Sequence, residues 1–245
     1  MKNWLIGGMT VALTSAFGAT ALAQESQGTP VTQGSEASAP TLFAAPKQAF
    51  ELDVETGYSR GFGGIDASPG AAMAGVARGG VGVGVGLGYR ATPELSVAGT
   101  MQYQELAAAP EQPLGTRVRG ASVGVEGKLH LRPFDKVDPW VGLGAGYRML
   151  WVAPEGPGNN VLNHGLELAR AKVGLDVRVS RDVALGPVIG GDVNLFIWRN
   201  PEGPAGNTVI RDKKVSTFLF AGIQGRFDIG GQRVARPGAV QLGSR

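Results

Sequence analysis

The sequence predicts an all-β fold, an eight-stranded antiparallel up-and-down transmembrane β-barrel. Three observations predict it. Eight segments alternate apolar with polar or small residues, the connections between them alternate in length, and aromatic residues gather at segment ends. Side chains alternate faces along a strand, so a period of two marks a sheet with one apolar and one polar face. The composition is consistent with this. The 245 residues include 40 Gly, 15 Pro and no Cys, with 43% hydrophobic and 18% charged residues. That is too apolar for a disordered chain, and without cysteine there is neither a disulfide scaffold nor a thiolate metal site. Only the N-terminus offers a stretch near the ~20 apolar residues of a helical span. The formal net charge of +3 is small and scattered, so no nucleic-acid partner is expected.

Lys2 precedes an uncharged apolar run from Trp4 to Thr20, and Ala21-Leu22-Ala23 fits the small-x-small cleavage rule. Residues 1–23 therefore read as a secretory signal peptide. Residues 24–46, rich in Gln, Ser, Gly, Thr and Pro, read as a flexible periplasmic leader. The barrel is assigned to 47–229 and a periplasmic tail without order to 230–245.

The strands follow in order. Phe50, Leu52, Val54, Thr56 and Tyr58 share one phase against Glu51, Asp53 and Glu55. Val81 to Tyr89 alternates with Gly82, Gly84, Gly86 and Gly88, and Leu95, Val97, Met101 and Tyr103 with Ser96, Ala98, Thr100 and Gln102. Val123, Val125 and Leu129 oppose Gly124, Glu126, Lys128 and His130. Val141 to Trp151 opposes Gly142, Gly144, Gly146 and Arg148. Val173 to Val179 opposes Lys172, Gly174, Asp176 and Arg178, and 183–198 and 215–229 complete the eight.

A soluble sandwich shows the same alternation with its apolar face inward, so the connections and aromatics decide. Ser59–Gly79, Glu105–Gly115, Ala153–His164 and Arg199–Lys213 read as long loops, and Arg90–Glu94, Arg132–Asp138 and Ser180–Asp182 as short turns. Long loops at one end and short turns at the other mark an outer-membrane barrel. With the termini in the periplasm, Phe50, Tyr89 and Phe227 form a periplasmic aromatic girdle and Tyr58, Tyr103 and Trp151 an outer one. Tyr147 sits nearer mid-strand and does not fit this rule.

The polar phase carries six acids, Glu51, Asp53, Glu55, Glu126, Asp176 and Asp192, against five bases, Lys128, Arg148, Lys172, Arg178 and Arg226. In a barrel they become a charge network within the lumen. An eight-stranded barrel is just wide enough for side chains to fill, so the expectation is a lumen plugged by ion pairs rather than a small-solute pore.

Val83-Gly-Val-Gly-Leu-Gly-Tyr-Arg90, followed by Ala91-Thr-Pro-Glu-Leu-Ser96, resembles the strand–periplasmic turn–strand unit of small outer-membrane barrels. Pro139-Trp-Val-Gly-Leu-Gly-Ala-Gly-Tyr-Arg148 is similar. From Phe50 to Ile229 the chain resembles the OmpA/OmpX-like eight-stranded barrel family. The resemblance implies a monomeric, porin-like barrel of a Gram-negative cell envelope, with outer-membrane lipid and the outer-membrane assembly machinery as partners. It implies a structural, envelope-integrity or surface-interaction role. Two features depart from it. Such barrels usually end on an aromatic residue, yet Phe227 is followed by 18 residues, and no peptidoglycan-binding domain follows, so that anchoring role is not implied.

In the seventh strand Pro187 has no amide to donate and belongs at an edge or bulge. A bulge near Gly186–Pro187 is expected, which would turn Phe196 and Trp198 toward lipid.

The spacing of Gly82, Gly84, Gly86 and Gly88 lacks the gap and the following helix of a dinucleotide fingerprint. The glycines read as structural, giving curvature and room for side chains such as Arg148 or Arg226 from across the lumen. Only His130 and His164 exist as catalytic bases, and neither has a serine two residues away. No catalytic, cofactor or metal site is therefore expected, and no cofactor. The outer loops, rich in Gly, Ala, Pro and Asn, point to no ligand. Two alternatives stay open beside the pore: a periplasmic lipocalin-like binder of apolar ligands and a lipid-modifying barrel enzyme.

Overall fold

The computed structural model describes residues 43–233, apart from 69, 157–159 and 205. The segment read as a signal peptide, most of the segment read as a leader, and the residues beyond 233 lie outside the described residues. Eight long strands form the fold: β1 Ala49–Gly63, β2 Ala77–Arg90, β3 Leu95–Ala108, β4 Arg117–His130, β5 Val137–Ala153, β6 Val161–Arg178, β7 Val183–Pro201 and β8 Val215–Ile229. Each pairs antiparallel with the next, and β8 pairs with both β7 and β1, so the sheet closes. A closed sheet leaves no edge, which is what backbone in lipid requires. Among the described residues no helix is long and apolar enough to cross a membrane. The crossing is made by strands.

The register measures the tilt. A row of partners from Asp53 passes through Gly86, Thr100, Gly124, Gly146, Glu167, Asn194 and Ser216. It returns to β1 at Gly63, ten residues beyond its start (53 to 63). Strands closing with such a stagger must tilt against the barrel axis. Each strand therefore carries the row upward by about one and a quarter residues, ten divided by eight.

The two faces are inverted relative to a soluble protein. Val81, Leu87, Leu143 and Ile223 are 66%, 69%, 70% and 64% exposed, whereas the Arg148 and Arg226 side chains inside are sealed from solvent. An apolar outer band around a polar interior is the arrangement of a membrane barrel.

The short turns, 91–94, 131–136 and 179–182, gather at one end, and the connections 64–76, 109–116, 154–160 and 202–214 at the other. The Thr92 hydroxyl accepts from the Leu95 amide at 3.2 Å, and the Ser180 hydroxyl from the Val183 amide at 3.1 Å, satisfying groups that the ladder leaves free. The strands run farther toward the long-loop end than the alternation marks. β1 continues past Ser59 to Gly63, β3 past Glu105 to Ala108, and β7 past Arg199 to Pro201. Past the lipid there is no apolar solvent to enforce a period of two, and Arg60, Glu105 and Arg119 occupy outward positions there.

At the long-loop end the lumen changes character. Ile65, Met73 and Val76 of the first loop pack with Leu106, Val118, Leu150, Phe196, Ile210 and Phe218 in one buried apolar cluster. The loop enters through a single helical turn, Met73–Val76. Arg199 holds it from across the mouth by a 2.5 Å ion pair to Asp66. At the short-turn end, Pro46–Lys47 pairs with Gln232–Arg233, and the Ala45 amide donates to Pro133 O at 2.7 Å. Gly230 and Gly231, at φ 74° and 81°, bend the chain back after β8. Residues 43–46 and 230–233, assigned to a flexible leader and an unordered tail, are thus structured because they bond to each other and to the turns.

The bulge expected near Gly186–Pro187 is not there. β7 pairs with β8 without interruption from Val183 to Leu195. On the other side the ladder omits the partners of Pro187 and Gly186, so the missing amide faces β6 and costs two rungs rather than a shift. The register shifts lie farther out, between His164 and Gly165 and between Glu167 and Ala169. Phe196 therefore stays inward and fully buried instead of facing lipid. Trp198, past the shift, stacks on His164 with centroids 5.5 Å apart.

Candidate functional site

The inward phase of the strands builds the lumen. Glu51, Asp53, Glu55, Glu126, Lys128, Arg148, Lys172, Asp176, Arg178, Asp192 and Arg226 are all buried in it. They lie in three tiers. Nearest the short turns, Arg90 holds Glu51 at 2.5 Å and Arg178 holds Asp228 at 2.7 Å. Arg226 contacts Asp176 and reaches Asp53 at 3.4 Å and Glu51 at 3.8 Å. In the middle, Lys128 meets Asp53 at 2.5 Å, and Lys172 meets Glu55 at 2.9 Å and Glu126 at 3.4 Å. Gln102 donates to Glu55 at 2.6 Å and Gln224 to Asp53 at 3.0 Å.

The outermost tier pairs Arg170 with Glu167 at 2.7 Å and Arg148 with Asp192 at 3.5 Å. Arg148 also donates to Gln104 and lies 3.9 Å from the Phe218 ring centroid, where the polar lumen meets the apolar cluster. A cavity among Asp53, Glu55, Glu126, Lys128, Lys172 and Gln224 measures about 10 Å³. That is about the room of one water.

Glycines open space for these side chains from neighbouring strands. A Cβ on Gly84 would lie 2.6 Å from Glu55 Oε1, and one on Gly174 would lie 2.5 Å from the Trp140 ring. The space beside Gly84 thus goes to Glu55 on the adjacent strand, not to an arginine from across the lumen, while Arg148 lies against Gly120.

Both histidines are placed. His130 is buried, with Nε2 3.3 Å from Arg90 and Nδ1 2.8 Å from Asp138. The Arg90 guanidinium thus faces Nε2 and the Asp138 carboxylate faces Nδ1. His130, Asp138 and Asp176 bring ligand atoms within 4.8 Å of one another. Arg226 already stands in that cluster, contacting Asp176 and lying 3.4 Å from His130 Nδ1, so a guanidinium supplies the countercharge a metal would bring. His164 lies at the long-loop rim, bonded to the Tyr147 hydroxyl and 3.1 Å from Asn207 Oδ1.

The girdle residues point outward. Phe50 and Tyr89 meet edge to face at 5.7 Å at the short-turn rim, near Phe227. At the other rim the tilt alters the grouping. Tyr58 stands four residues beyond Val54, Tyr103 two beyond Met101, and Tyr147 on the same row as both. Counting the climb per strand, the three tyrosines lie within about one residue of a common height. Trp151 stands four residues beyond Tyr147 on the same strand, so Tyr147 holds the girdle position and Trp151 lies above it.

No protein-family model and no curated protein matches the sequence. Among solved structures, Neisserial surface protein A aligns at 16% identity over 73% of this chain and 96% of its own, with a TM-score of 0.48. OprG of Pseudomonas aeruginosa aligns at 11% over 76% and 99%, with a TM-score of 0.46. The N-terminal barrel domain of OprF from the same organism aligns at 14% over 75% and 99%, with a TM-score of 0.45. The strand pairing of this chain, not the likeness, carries its fold.

Sequence reasoning missed Arg90, Asp138, Glu167, Arg170 and Asp228, all buried in the lumen. Arg90, Asp138 and Asp228 share the parity of their strands' inward residues; Arg90 and Asp138 fall in segments read as turns, whereas Asp228 lies within the strand as drawn and was legible by its phase. Glu167 and Arg170 have opposite parities, and both turn inward only because of the shift between them.

Proposed function

We propose that this protein is an outer-membrane barrel, entered from the periplasm and monomeric. Its role is structural or interaction-based, and its lumen is closed by ion pairs. The observation that supports this reading is a lumen filled with opposed charges beneath a buried apolar cluster. The first loop covers one mouth with an apolar cluster, the paired segments 46–47 and 232–233 underlie the other, and salt bridges occupy the middle. The apolar outer band supports lipid as its surroundings, and the export signal read at residues 1–23 supports passage across the inner membrane. In this orientation the short turns face the periplasm and the long loops the exterior. Outer-membrane lipid and the assembly machinery are the partners.

A non-enzymatic role is favoured because His130 is buried among Arg90, Asp138 and Arg226. The test is planar-bilayer conductance of the purified chain. The closed-lumen reading predicts no discrete current steps in salt solution. Steady unitary currents, reduced by blocking the long-loop mouth, would establish a pore instead.

A further inference from the structure

The outer wall is not uniformly filled. Partners around the barrel place Tyr58, Ala221, Ile189 and Val173 in one row and Arg60, Leu219, Gly191 and Ala171 in the next row out. Both rows point to lipid. Where Ala171 and Ala221 stand, the large side chains that cover the rest of the wall are absent, while the Leu219 side chain lies over Gly191. The result is a notch of about 540 Å³ floored by Ala171 and Ala221, walled by Tyr58, Ile189 and Leu219, and rimmed by Arg60.

Its height is informative. Tyr58 belongs to the long-loop girdle, so the notch lies in the half of the bilayer beneath that girdle. Arg60 is two residues beyond Tyr58 on the same face, about 7 Å farther along the strand. The Arg60 guanidinium stands over the Phe62 ring at 5.4 Å, and among the described residues it has no carboxylate partner. Arg119, also above the girdle, differs: Glu105 holds it at 2.9 Å. An unneutralised cation at headgroup height directly above an apolar notch complements a lipid with an anionic head and a chain to seat below.

We propose that this notch binds one acyl chain of a phosphorylated multi-acyl glycolipid of the outer leaflet, with Arg60 on a phosphate. The proposal rests on the outer-membrane reading and its orientation. Guanidinium and phosphate form charge-assisted paired hydrogen bonds, and a preformed notch spares the barrel any repacking. A second copy of the chain fits less well. A two-fold contact centred here would set two unpaired Arg60 side chains against each other.

The test uses the full chain in phosphatidylcholine nanodiscs doped with bisphosphorylated lipid A, with dephosphorylated lipid A, or with phosphatidylglycerol. Retained lipid is counted by native mass spectrometry. Cold and boiled mobility in SDS gels verifies that each variant is folded, and Ala221→Val replaces Ala221→Leu if the latter does not fold. The expected result is one retained bisphosphorylated lipid A per barrel. Retention falls about fivefold or more in Arg60→Gln and in Ala221→Leu, the loss of about one contact's free energy. Arg119→Gln leaves it unchanged, and both other lipids are held more weakly than bisphosphorylated lipid A. Equal retention by wild type and both variants overturns the proposal. So does retention indifferent to the phosphates, or phosphatidylglycerol held as firmly. A dimer that Ala221→Leu dissociates assigns the notch to a second copy and overturns it as well. If the wild-type chain does not enter the nanodisc, the membrane reading fails rather than this site alone.

Discussion

Arg226 joins more of the lumen than any neighbouring base, touching Asp176 and reaching Asp53 and Glu51. Replacing it with leucine leaves these carboxylates short of a countercharge in a sealed interior. Removing one partner of a buried ion pair costs about 3–5 kcal/mol. Urea unfolding in lipid vesicles should show a loss of that size for Arg226→Leu. Ile223→Ala, three residues away but facing lipid, should cost about 1 kcal/mol or less, because lipid tails replace the lost contacts.

Asp66 supplies a pH prediction. Burial pushes its carboxyl upward, but the Ser68 amide and hydroxyl and the Arg199 guanidinium outweigh burial and hold it below the ordinary carboxylate range. A depressed folded-state pKa contributes stability above the unfolded value of about 3.9. That contribution disappears as pH falls through the folded value. The first loop should therefore loosen only below about pH 4, seen as faster amide exchange at Gly64 and Ile65, and Asp66→Asn should remove the acid dependence. The lumen charges were legible in sequence wherever a long uninterrupted period fixed their parity, as for Asp53, Lys128 and Arg226. The Asp66–Arg199 pair was not, because nothing in a loop's composition says which strand it will meet 133 residues later.

The number, order and lipid-facing phase of the strands were legible because lipid penalises a polar residue on the outer face at every second position. Strand ends near the long loops were not, since the penalty stops with the lipid. The sign of the apolar cap was nonetheless present. Leu106, Val118, Leu150, Phe196 and Phe218 are apolar residues on the polar phase, and all five stand near the long-loop ends of their strands. Pro187 misled because a missing donor can be absorbed by omitting rungs, with no shift of register. Strand glycines divide by what faces them. A Cβ on Gly174 would meet the Trp140 ring at 2.5 Å, whereas one on Gly99 meets only Leu87 O at 4.0 Å. Gly174→Val should cost about 1–3 kcal/mol by overpacking, and Gly99→Val should be near neutral. The fraction of chain in the fast cold-SDS band after refolding reads the difference.

At the scale of the molecule, the apolar outer face and the charged interior belong together. Described buried acids in the barrel interior number nine, Glu51, Asp53, Glu55, Glu126, Asp138, Glu167, Asp176, Asp192 and Asp228. They face seven buried bases and His130. Charges buried at this density hold only where opposite charges face one another. The outside needs lipid to cover valine and leucine that water would not tolerate as a continuous band. The claim that the outer face lies in lipid is tested most directly by depth-resolved quenching. The chain has no cysteine, so Val125→Cys, Leu143→Cys, Ile223→Cys and Leu114→Cys each provide one labelling site. The first three lie near mid-height between the girdles once the strand tilt is counted, and Leu114 sits in a long loop, 94% exposed. With fluorophores attached and bromines placed near the ends of the lipid tails, the first three should be strongly quenched and position 114 should not. Equal, weak quenching at all four would place the apolar face outside a bilayer and contradict the membrane barrel.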